Sequence, residues 1–448
     1  MVFASFEFLC LFLPVFLVAN AVSPARLRNL VILVFSYVFY AWWRVDFLLL
    51  LMLVTAVSWA GALAWARRAR FGTAALWGSV GLILVLLAWF KYANLAVDIV
   101  DDFRSRPLAW QRIVLPVGLS FYVLQSVSYL IDVRRGTIAA SASLLNFASY
   151  KAMFSQLVAG PVVRYATVAH ELVTRAPDFQ SFGLGARRFM VGFAMKILVA
   201  DTVSGTATAA FALPEPTAAD AWLGTIAYTL QIYFDFAGYS AMAIGLGLMM
   251  GFHLPENFNE PYIAVSLRDF WRRWHITLSS FLRDYLYIPL GGSRHGASRT
   301  MFAVIVTMAL GGLWHGASLT FLAWGLWHGV LQAAEHRLGI TPGKAITLLA
   351  VMLGWVMFRA DDFHTAIGMY AGMAGLHGMP LSDALAWRID GTVLGGLVAG
   401  IAVVFRPRAL WQGRVPAWAE ELLMTAGFAL AILALYHRDA APFLYFQF

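Results

Sequence analysis

A histidine inside a long apolar run is the residue of this chain with the clearest potential for chemistry. It belongs to the sequence Gly311-Gly312-Leu313-Trp314-His315-Gly316, and the last charged residue before it is Arg299. Sixteen helical residues of about 1.5 Å each would carry His315 about 24 Å into a hydrocarbon layer about 30 Å thick. An ionisable group is expensive at that depth, so its position predicts a functional site. The alternative is a structural histidine that is satisfied by a neighbouring helix.

A second histidine belongs to residues 266–285, whose pattern predicts one amphipathic helix capped by Ser266, with Asp269 at capping-box spacing. Its polar stripe consists of Arg268, Arg272, His275 and Ser279. One interpretation is a membrane-surface helix whose arginines meet anionic lipid headgroups. The other is an anion-binding mouth for a phosphate-bearing donor, because the planar guanidinium fork suits phosphate.

Three polar residues at four-residue spacing, Gln231, Asp235 and Tyr239, share one face of an apolar helix. An aspartate there must face protein, water or a partner, and structural pairing and a site role both remain open. Lys196 lies near the end of an apolar run, where we expect its side chain to snorkel to the interface. Gln156 lies in the segment 150–165, which is short for a span and predicts a re-entrant element.

A second Leu-Trp-His-Gly sequence ends at Gly329 and contains His328. Thirteen residues of one continuous helix would rotate His328 by about 220° from His315, at about 100° per residue. The two imidazoles would then face apart, unless the helix is broken at Gly316.

The composition predicts a polytopic membrane protein with a single membrane domain over residues 1–448. Of its 448 residues 61% are hydrophobic and only 12% are charged, against about 25% charged in soluble domains. The net charge of +8 comes from Lys and Arg in short loops, which indicates membrane topology and no nucleic-acid partner. The lone cysteine, Cys10, excludes an internal disulfide, and no metal-binding motif is present.

The apolar runs and basic loops together predict a topology. The first basic loop, with Arg26 and Arg28, follows the first apolar run, so we expect an external N-terminus and a cytoplasmic loop. The long basic segment 252–300, which contains His275, is then cytoplasmic. Up to that segment the predicted spans are 6–22, 30–43, 47–66, 74–90, 114–131, 189–203 and 222–250. About ten to twelve spans are expected in total.

Several long motifs, in order along nearly the whole chain, resemble the membrane-bound O-acyltransferase (MBOAT) family. They resemble its alginate O-acetyltransferase branch, to which the D-alanyl transfer protein of teichoic-acid modification is related. The motifs are Leu115-Pro116-Val117-Gly118-Leu119-Ser120-Phe121-Tyr122, Gln156-Leu157-Val158-Ala159-Gly160-Pro161, residues 268–279, residues 311–318 and the ending Phe443-Leu444-Tyr445-Phe446-Gln447-Phe448.

The resemblance implies an all-α membrane fold. About eleven transmembrane helices would ring a thin core pierced by a tunnel, with re-entrant and cytoplasmic horizontal helices. It implies that His315 matches the family's essential histidine and His275 its second histidine. It also implies a bacterial inner-membrane enzyme that passes an acyl group from a cytoplasmic thioester to a periplasmic SGNH-type partner, for exopolysaccharide modification.

These residues suggest a mechanism as a hypothesis. Acetyl-CoA or an acyl-carrier thioester docks near the donor-binding residues Arg268, Arg272, Arg273 and Ser279, with no bound cofactor. His315 acts as general base on an acceptor hydroxyl, and His275 positions the thioester or polarises its carbonyl. Trp274 and Trp314 line or pack the tunnel. Competing hypotheses are a D-alanyl or other acyltransferase, a transporter, and a scaffold that recruits polysaccharide machinery.

Overall fold

The computed structural model of the protein describes residues 1–176, 178–406, 416–437 and 443–444. These residues form helices and connecting loops, and no β-strand occurs among them. In chain order the α-helices are α1 (Leu13–Val22), α2 (Arg28–Ala41), α3 (Val45–Ala66), α4 (Gly72–Asp101), α5 (Leu119–Arg135), α6 (Leu144–Ala152), α7 (Phe154–Leu157), α8 (Tyr165–Val168), α9 (Glu171–Thr174), α10 (Phe179–Ala194), α11 (Asp201–Phe211), α12 (Ala218–Met249), α13 (Leu267–Arg273), α14 (Ile276–Leu282), α15 (Ala297–His315), α16 (Leu319–Leu338), α17 (Lys344–Arg359), α18 (Phe363–Met373), α19 (Asp383–Ala386), α20 (Gly391–Phe405) and α21 (Ala417–His437).

Six helical stretches in the described residues are long and apolar enough to cross a membrane. They are Val45–Ala66, Gly72–Asp101, Phe179–Phe211, Ala218–Met249, Ala297–His315 and Ala417–His437, with shorter apolar helices at Glu7–Val22 and Gly391–Phe405. The predicted spans 47–66, 74–90, 189–203 and 222–250 fall on four of them. The predicted span 114–131 begins too early, because Gly118 has a left-handed φ of 77° and the helix starts at Leu119. The count of about eleven spans, and the tunnel, stay predictions.

The chain divides into two compact units, residues 1–189 with 242–255 and residues 190–241 with 256–448. Helices α10 and α12 each contribute residues to both units. The single membrane domain expected from the composition stays a prediction.

In the first unit, two of the motifs that carry the family resemblance pack against each other. A Cβ on Gly118 would lie 2.6 Å from the carbonyl oxygen of Leu157, so only glycine allows this approach. The segment 150–165 forms two short helical pieces and an irregular stretch rather than a spanning helix, and it is buried almost throughout. Gln156 is fully buried there and donates from Nε2 to the carbonyl oxygen of Tyr150 at 2.8 Å.

In the second unit, α15 and α16 pack as a close antiparallel pair, because glycines let the two helix backbones approach each other. A Cβ on Gly312 would lie 2.3 Å from the carbonyl oxygen of Phe321, and a Cβ on Gly325 would lie 2.4 Å from that of Met308. The helix is broken at Gly316, which is extended, and α16 restarts at Leu319. This break is the condition under which both histidines could face the same region.

The prediction of one helix over residues 266–285 is wrong. The Ser266 cap is confirmed, since its Oγ accepts from the Asp269 amide, but α13 ends at Arg273 and α14 begins at Ile276. Between them His275 adopts a left-handed backbone with φ 43° and ψ 53°. A left-handed histidine cannot continue a right-handed helix, so the polar stripe is divided into two pieces of different direction.

Candidate active site

His315 is the last residue of α15 and is buried in a cage of aromatic rings. Its ring centroid lies 5.0 Å from that of Trp314, 5.1 Å from Trp324 and 5.4 Å from Phe358. The side chain is 3% exposed. His315 is therefore buried among apolar rings, and its predicted depth in the membrane stays a prediction.

A glycine immediately after His315 is required by this packing. A Cβ on Gly316 would lie 2.1 Å from Cε2 of Phe321, closer than any real contact. The ring of Phe321 therefore occupies the space that any other side chain would need, and it packs in turn on Phe358 at 4.8 Å. The Gly-x-x-x-x-Gly frame of the motif thus sets the end of the helix and the position of the imidazole.

His275 is brought next to His315, with ring centroids 6.3 Å apart. It is fully buried, and Phe236 packs edge-on against it at 4.6 Å. His275 and His315 are 40 positions apart in the sequence and share one buried region. The family resemblance implied this pairing of roles, and the geometry brings the two rings together.

Asn257 fixes the orientation of His275, and sequence reasoning missed it. Its Oδ1 accepts from His275 Nδ1 at 3.0 Å, from Thr277 Oγ1 at 2.8 Å and from the Thr277 amide at 3.3 Å. Its Nδ2 donates to Ser240 Oγ at 3.1 Å. Its carbonyl oxygen accepts from the Ile276 amide at 2.9 Å. Asn257 lies in a loop with no helical periodicity, so the sequence carries no signal for it.

These bonds define the protonation state of His275. Because an amide oxygen only accepts, Nδ1 carries the proton and Nε2 is the acceptor nitrogen of the neutral ring. Burial lowers the pKa of His275 to about 3, so the ring is neutral at physiological pH.

A cavity of about 500 Å³ lies in the same unit, and Ile276, the residue after His275, is part of its lining. This volume is in the usual range for small-molecule sites. Its polar lining includes Arg268, Arg272, Ser279, Ser280, Arg283, Gln332 and His336, and its apolar lining includes Trp271, Ile276, Leu282, Val304 and Met308. Three of the four residues predicted from the sequence to bind a donor thus line one cavity.

The fourth predicted donor residue, Arg273, does not line this cavity. Its Nε donates to Asp269 Oδ1 at 2.9 Å and its NH1 to the carbonyl oxygen of Asn259 at 3.4 Å. Sequence reasoning missed Arg283 and His336, which lie on other elements. Arg268 NH2 donates to His336 Nδ1 at 3.2 Å.

An aromatic layer connects the cavity to the histidine pair. Trp271 lines the cavity, its ring lies 5.7 Å from that of Trp324, and Trp324 contacts His315. Trp271 Nε1 donates to Nδ1 of His328 at 3.3 Å, and His328 also packs on Trp324 at 5.1 Å. His328 therefore lies in the wall behind the cavity, and the break at Gly316 allows both histidines to touch one indole.

The two tryptophans predicted to line or pack the tunnel are both buried. Trp274 packs against Phe258 and Trp355 with ring centroids 5.0 Å away in each case. Trp314 lies beside both histidines, 5.0 Å from His315 and 6.2 Å from His275. Both are in the same unit as the histidine pair.

The carboxylate of Asp235 takes part in structural pairing. Lys196 Nζ lies 2.9 Å from Asp235 Oδ1 and 2.5 Å from Asp201 Oδ1. The expectation that Lys196 snorkels is wrong, because its side chain is 4% exposed and held between two carboxylates. Asp235 Oδ2 also accepts from the amide of Leu444 at 2.9 Å, which holds the described part of the chain's ending against α12.

Tyr239 and Gln231 flank Asp235 on the buried face of α12, as the four-residue spacing predicts. The ring of Tyr239 stacks on Phe443 at 4.6 Å, and Phe443 packs on Phe236, the ring beside His275. Residues 445–448 of the C-terminal motif lie outside the described residues. Among the described residues no group of three His, Cys, Asp or Glu side chains could hold a metal ion.

Comparison with known proteins relates this geometry to a family. Residues 137–338 match the membrane-bound O-acyltransferase family. The chain is 44% identical to the probable alginate O-acetylase of Pseudomonas putida, and 41% identical to that of Pseudomonas aeruginosa, over 100% of both proteins in each case. It is 32% identical to the peptidoglycan O-acetyltransferase of Helicobacter pylori, over 84% of this chain and 80% of that protein. The chain belongs to the membrane-bound O-acyltransferase family and is a multi-pass membrane acyltransferase.

Proposed function

We propose that this enzyme takes an acetyl group from a cytoplasmic thioester, acetyl-CoA or an acyl carrier, and transfers it to a hydroxyl for the O-acetylation of an exopolysaccharide such as alginate. One observation carries the proposal: a cavity with three arginines adjoins, through Trp271 and Trp324, a buried pair of histidines. The names of the relatives supply the acetyl group and the glycan.

The donor binds with its phosphates at Arg268, Arg272 and Arg283. Guanidinium groups hold phosphates by paired, charge-assisted hydrogen bonds. The apolar wall of Leu282, Val304 and Met308 then suits a thioester arm that is far less polar than the phosphates. Ser279 can hydrogen-bond to the amides or carbonyls of that arm.

His315 is the general base of the transfer. It removes the proton from the acceptor hydroxyl while the hydroxyl oxygen attacks the thioester carbonyl carbon. The carbon–sulfur bond then breaks, and the proton on His315 goes to the leaving thiolate. An imidazole whose ordinary pKa of about 6.5 lies near the working pH suits both steps.

His275 is the positioning histidine of this mechanism. Its Nδ1–H is used by Asn257, so Nε2 accepts hydrogen bonds and does not donate them. This tautomer favours orientation of the acceptor hydroxyl over polarisation of the thioester carbonyl, which would need a second donor N–H on a ring that burial keeps neutral.

The cellular arrangement follows from the basic loops. We place the protein in the bacterial inner membrane with its N-terminus outside and the His275 segment inside. The acceptor end then faces the periplasm, where a separate SGNH-type protein receives the acetyl group and passes it to the polysaccharide.

A carrier-dependent transfer of another acyl group is the second candidate. The chain is 24% identical to the teichoic acid D-alanyltransferase of Bacillus subtilis over 55% of this chain and 69% of that protein. A D-alanyl donor on a carrier protein would use the same histidines but would contact the arginines through the carrier.

Release of thiol from acetyl-CoA by the purified protein in nanodiscs, with alginate oligosaccharide supplied as the hydroxyl acceptor, tests the proposal. We expect turnover in wild type and loss of at least 100-fold in His315→Ala, in line with general base catalysis of about 10²–10⁴-fold. His364→Ala is the matched control, because His364 is exposed and outside the site. Turnover only with an acyl carrier would favour the second candidate. Equal turnover in wild type and His315→Ala would refute the assignment and reopen transport or scaffolding.

A further inference from the structure

Two arginines of the first unit, Arg28 and Arg175, lie close together without a carboxylate partner. No described acidic side chain forms an ion pair with either guanidinium. Nε of Arg28 and both Nε and NH2 of Arg175 are buried and have no acceptor among the described residues. Buried guanidinium donors without acceptors are unfavourable, so this pair needs an explanation.

The fold fixes Arg175 in this position at some structural cost. Its NH1 donates to Oδ1 of Asn29 at 2.6 Å, and its guanidinium carbon lies 4.4 Å over the ring of Phe252. Asn29 is itself oriented, because its Nδ2 donates to Oδ1 of Asn146 and to the carbonyl oxygen of Leu172, both at 2.8 Å. The buried Asn29 amide and the Phe252 ring therefore hold the Arg175 guanidinium in place, while its Nε and NH2 have no acceptor among the described residues.

The nearest acidic side chain is already engaged by another residue. Glu171 accepts from Nδ1 of His253 at 2.7 Å and from the His253 amide at 3.1 Å. Burial and the charge of Arg28 lower the pKa of Arg175 to about 10, against the opposing effect of Glu171. The Arg175 guanidinium stays charged at neutral pH, and the repulsion between two neighbouring guanidinium groups favours binding of an anion.

We propose that Arg28 and Arg175 form a binding site for a phosphate group, either free phosphate or the headgroup phosphate of an anionic lipid. Arg28 is the first residue of α2, a 14-residue helix whose positive N-terminal dipole adds to the attraction. Both arginines are half-buried, and Nη1 and Nη2 of Arg28 are not among the buried donors, so an anion can approach the pair at these two nitrogens. Leu27 and Val173, which are 42% and 75% exposed, flank the site and suit contact with acyl chains.

This site is separate from the proposed transfer chemistry, so its test does not measure acyl transfer. The protein is purified in nanodiscs of phosphatidylcholine with or without phosphatidylglycerol. Retained phosphatidylglycerol is counted by native mass spectrometry, and inorganic phosphate is titrated into the phosphatidylcholine sample while the thermal midpoint is followed. Wild type is compared with Arg28→Gln and with Arg67→Gln, an exposed arginine of the same unit that loses the same charge.

We expect Arg28→Gln to weaken binding about tenfold or more, the usual effect of losing a charge-assisted hydrogen bond, and Arg67→Gln to match wild type. Loss of phosphatidylglycerol alone would identify a lipid headgroup, and loss of the phosphate response alone would identify a free anion. Equal binding by all three proteins, or no binding of either anion by wild type, would overturn the site. If Arg28→Gln does not fold, Arg28→Lys keeps the charge but loses the fork, and wild-type binding by that variant would likewise contradict it.

Discussion

Asn257 is the residue whose replacement tests the geometry of the site most directly. Its side chain makes four hydrogen bonds, three through Oδ1 to His275 and Thr277 and one through Nδ2 to Ser240. At about 1 kcal/mol net for each bond, Asn257→Ala should lower the free energy of unfolding by about 4 kcal/mol. It also releases the ring of His275, whose left-handed backbone is stabilised by the same loop.

Asn257→Ala should lower kcat more than a mutation far from the site that destabilises the protein by the same amount. A misplacement of about 1 Å at a catalytic group can cost about 10²-fold in rate, so we expect Asn257→Ala to reduce kcat for thiol release from acetyl-CoA by about that factor. The assays are thermal unfolding in nanodiscs and steady-state turnover at a temperature where the variant stays folded.

Asn257→Asp is the matched variant, because it keeps the accepting Oδ1 and replaces only Nδ2, the donor to Ser240. We expect stability closer to wild type than to Asn257→Ala. The new carboxylate beside His275 favours the imidazolium, so the pKa of His275 rises and turnover falls as the pH is lowered. An Asn257→Ala protein that folds and keeps kcat within about twofold of wild type would refute the positioning role of His275.

Three further predictions concern packing, the donor and pH. Gly316→Ala should destabilise the protein by about 1–3 kcal/mol in thermal or denaturant unfolding, as overpacking does, whereas Gly391→Ala, with no atom near its Cβ, should not. Arg272→Ala should raise KM for acetyl-CoA about tenfold with little change in kcat, whereas Arg273→Ala, which does not line the cavity, should leave KM near wild type. The pKa of His275 is about 3 in the folded protein and about 6.5 in the unfolded chain, so its contribution to stability is complete above pH 6.5 and is lost as the pH falls. The free energy of unfolding should decrease by about 2 kcal/mol between pH 6.5 and 5. The His275→Asn protein should lack this decrease. Unchanged unfolding in Gly316→Ala, equal KM values for the two arginine variants, or the same acid sensitivity in His275→Asn would contradict the respective arguments.

The features that the sequence predicts well are those fixed by local pattern. Hydrogen-bonding capacity and helical spacing act over a few residues. They account for the Ser266 cap, for the buried face of Gln231, Asp235 and Tyr239, and for the burial of His315. The break at Gly316 could be named as a condition because glycine is the residue that such breaks use.

The features that escaped prediction depend on contacts distant in sequence. The left-handed backbone of His275 is held by Asn257, 18 positions earlier. Histidine is enriched at left-handed φ, but such residues are so uncommon that the enrichment does not mark one position in a sequence. Arg272 and Arg273 both lie on α13, before the break, and point about 100° apart around the helix. Arg272 lines the cavity, whereas Arg273 pairs with Asp269 one turn earlier. The predicted polar stripe contains Arg272 and not Arg273, in keeping with this difference.

In the proposed transfer, the aromatic surroundings of the histidine pair would let a hydroxyl compete with water. Trp314, Trp324 and Phe358 surround His315, and Phe236 covers His275, so a thioester that reached this region would meet aromatic rings. Exclusion of water removes the competing nucleophile and strengthens the hydrogen bonds that orient the acceptor. In the proposed function the acyl arm passes Trp271 and Trp324 between the arginine-lined cavity and His315, and an acetyl group would displace these indoles less than a longer acyl chain.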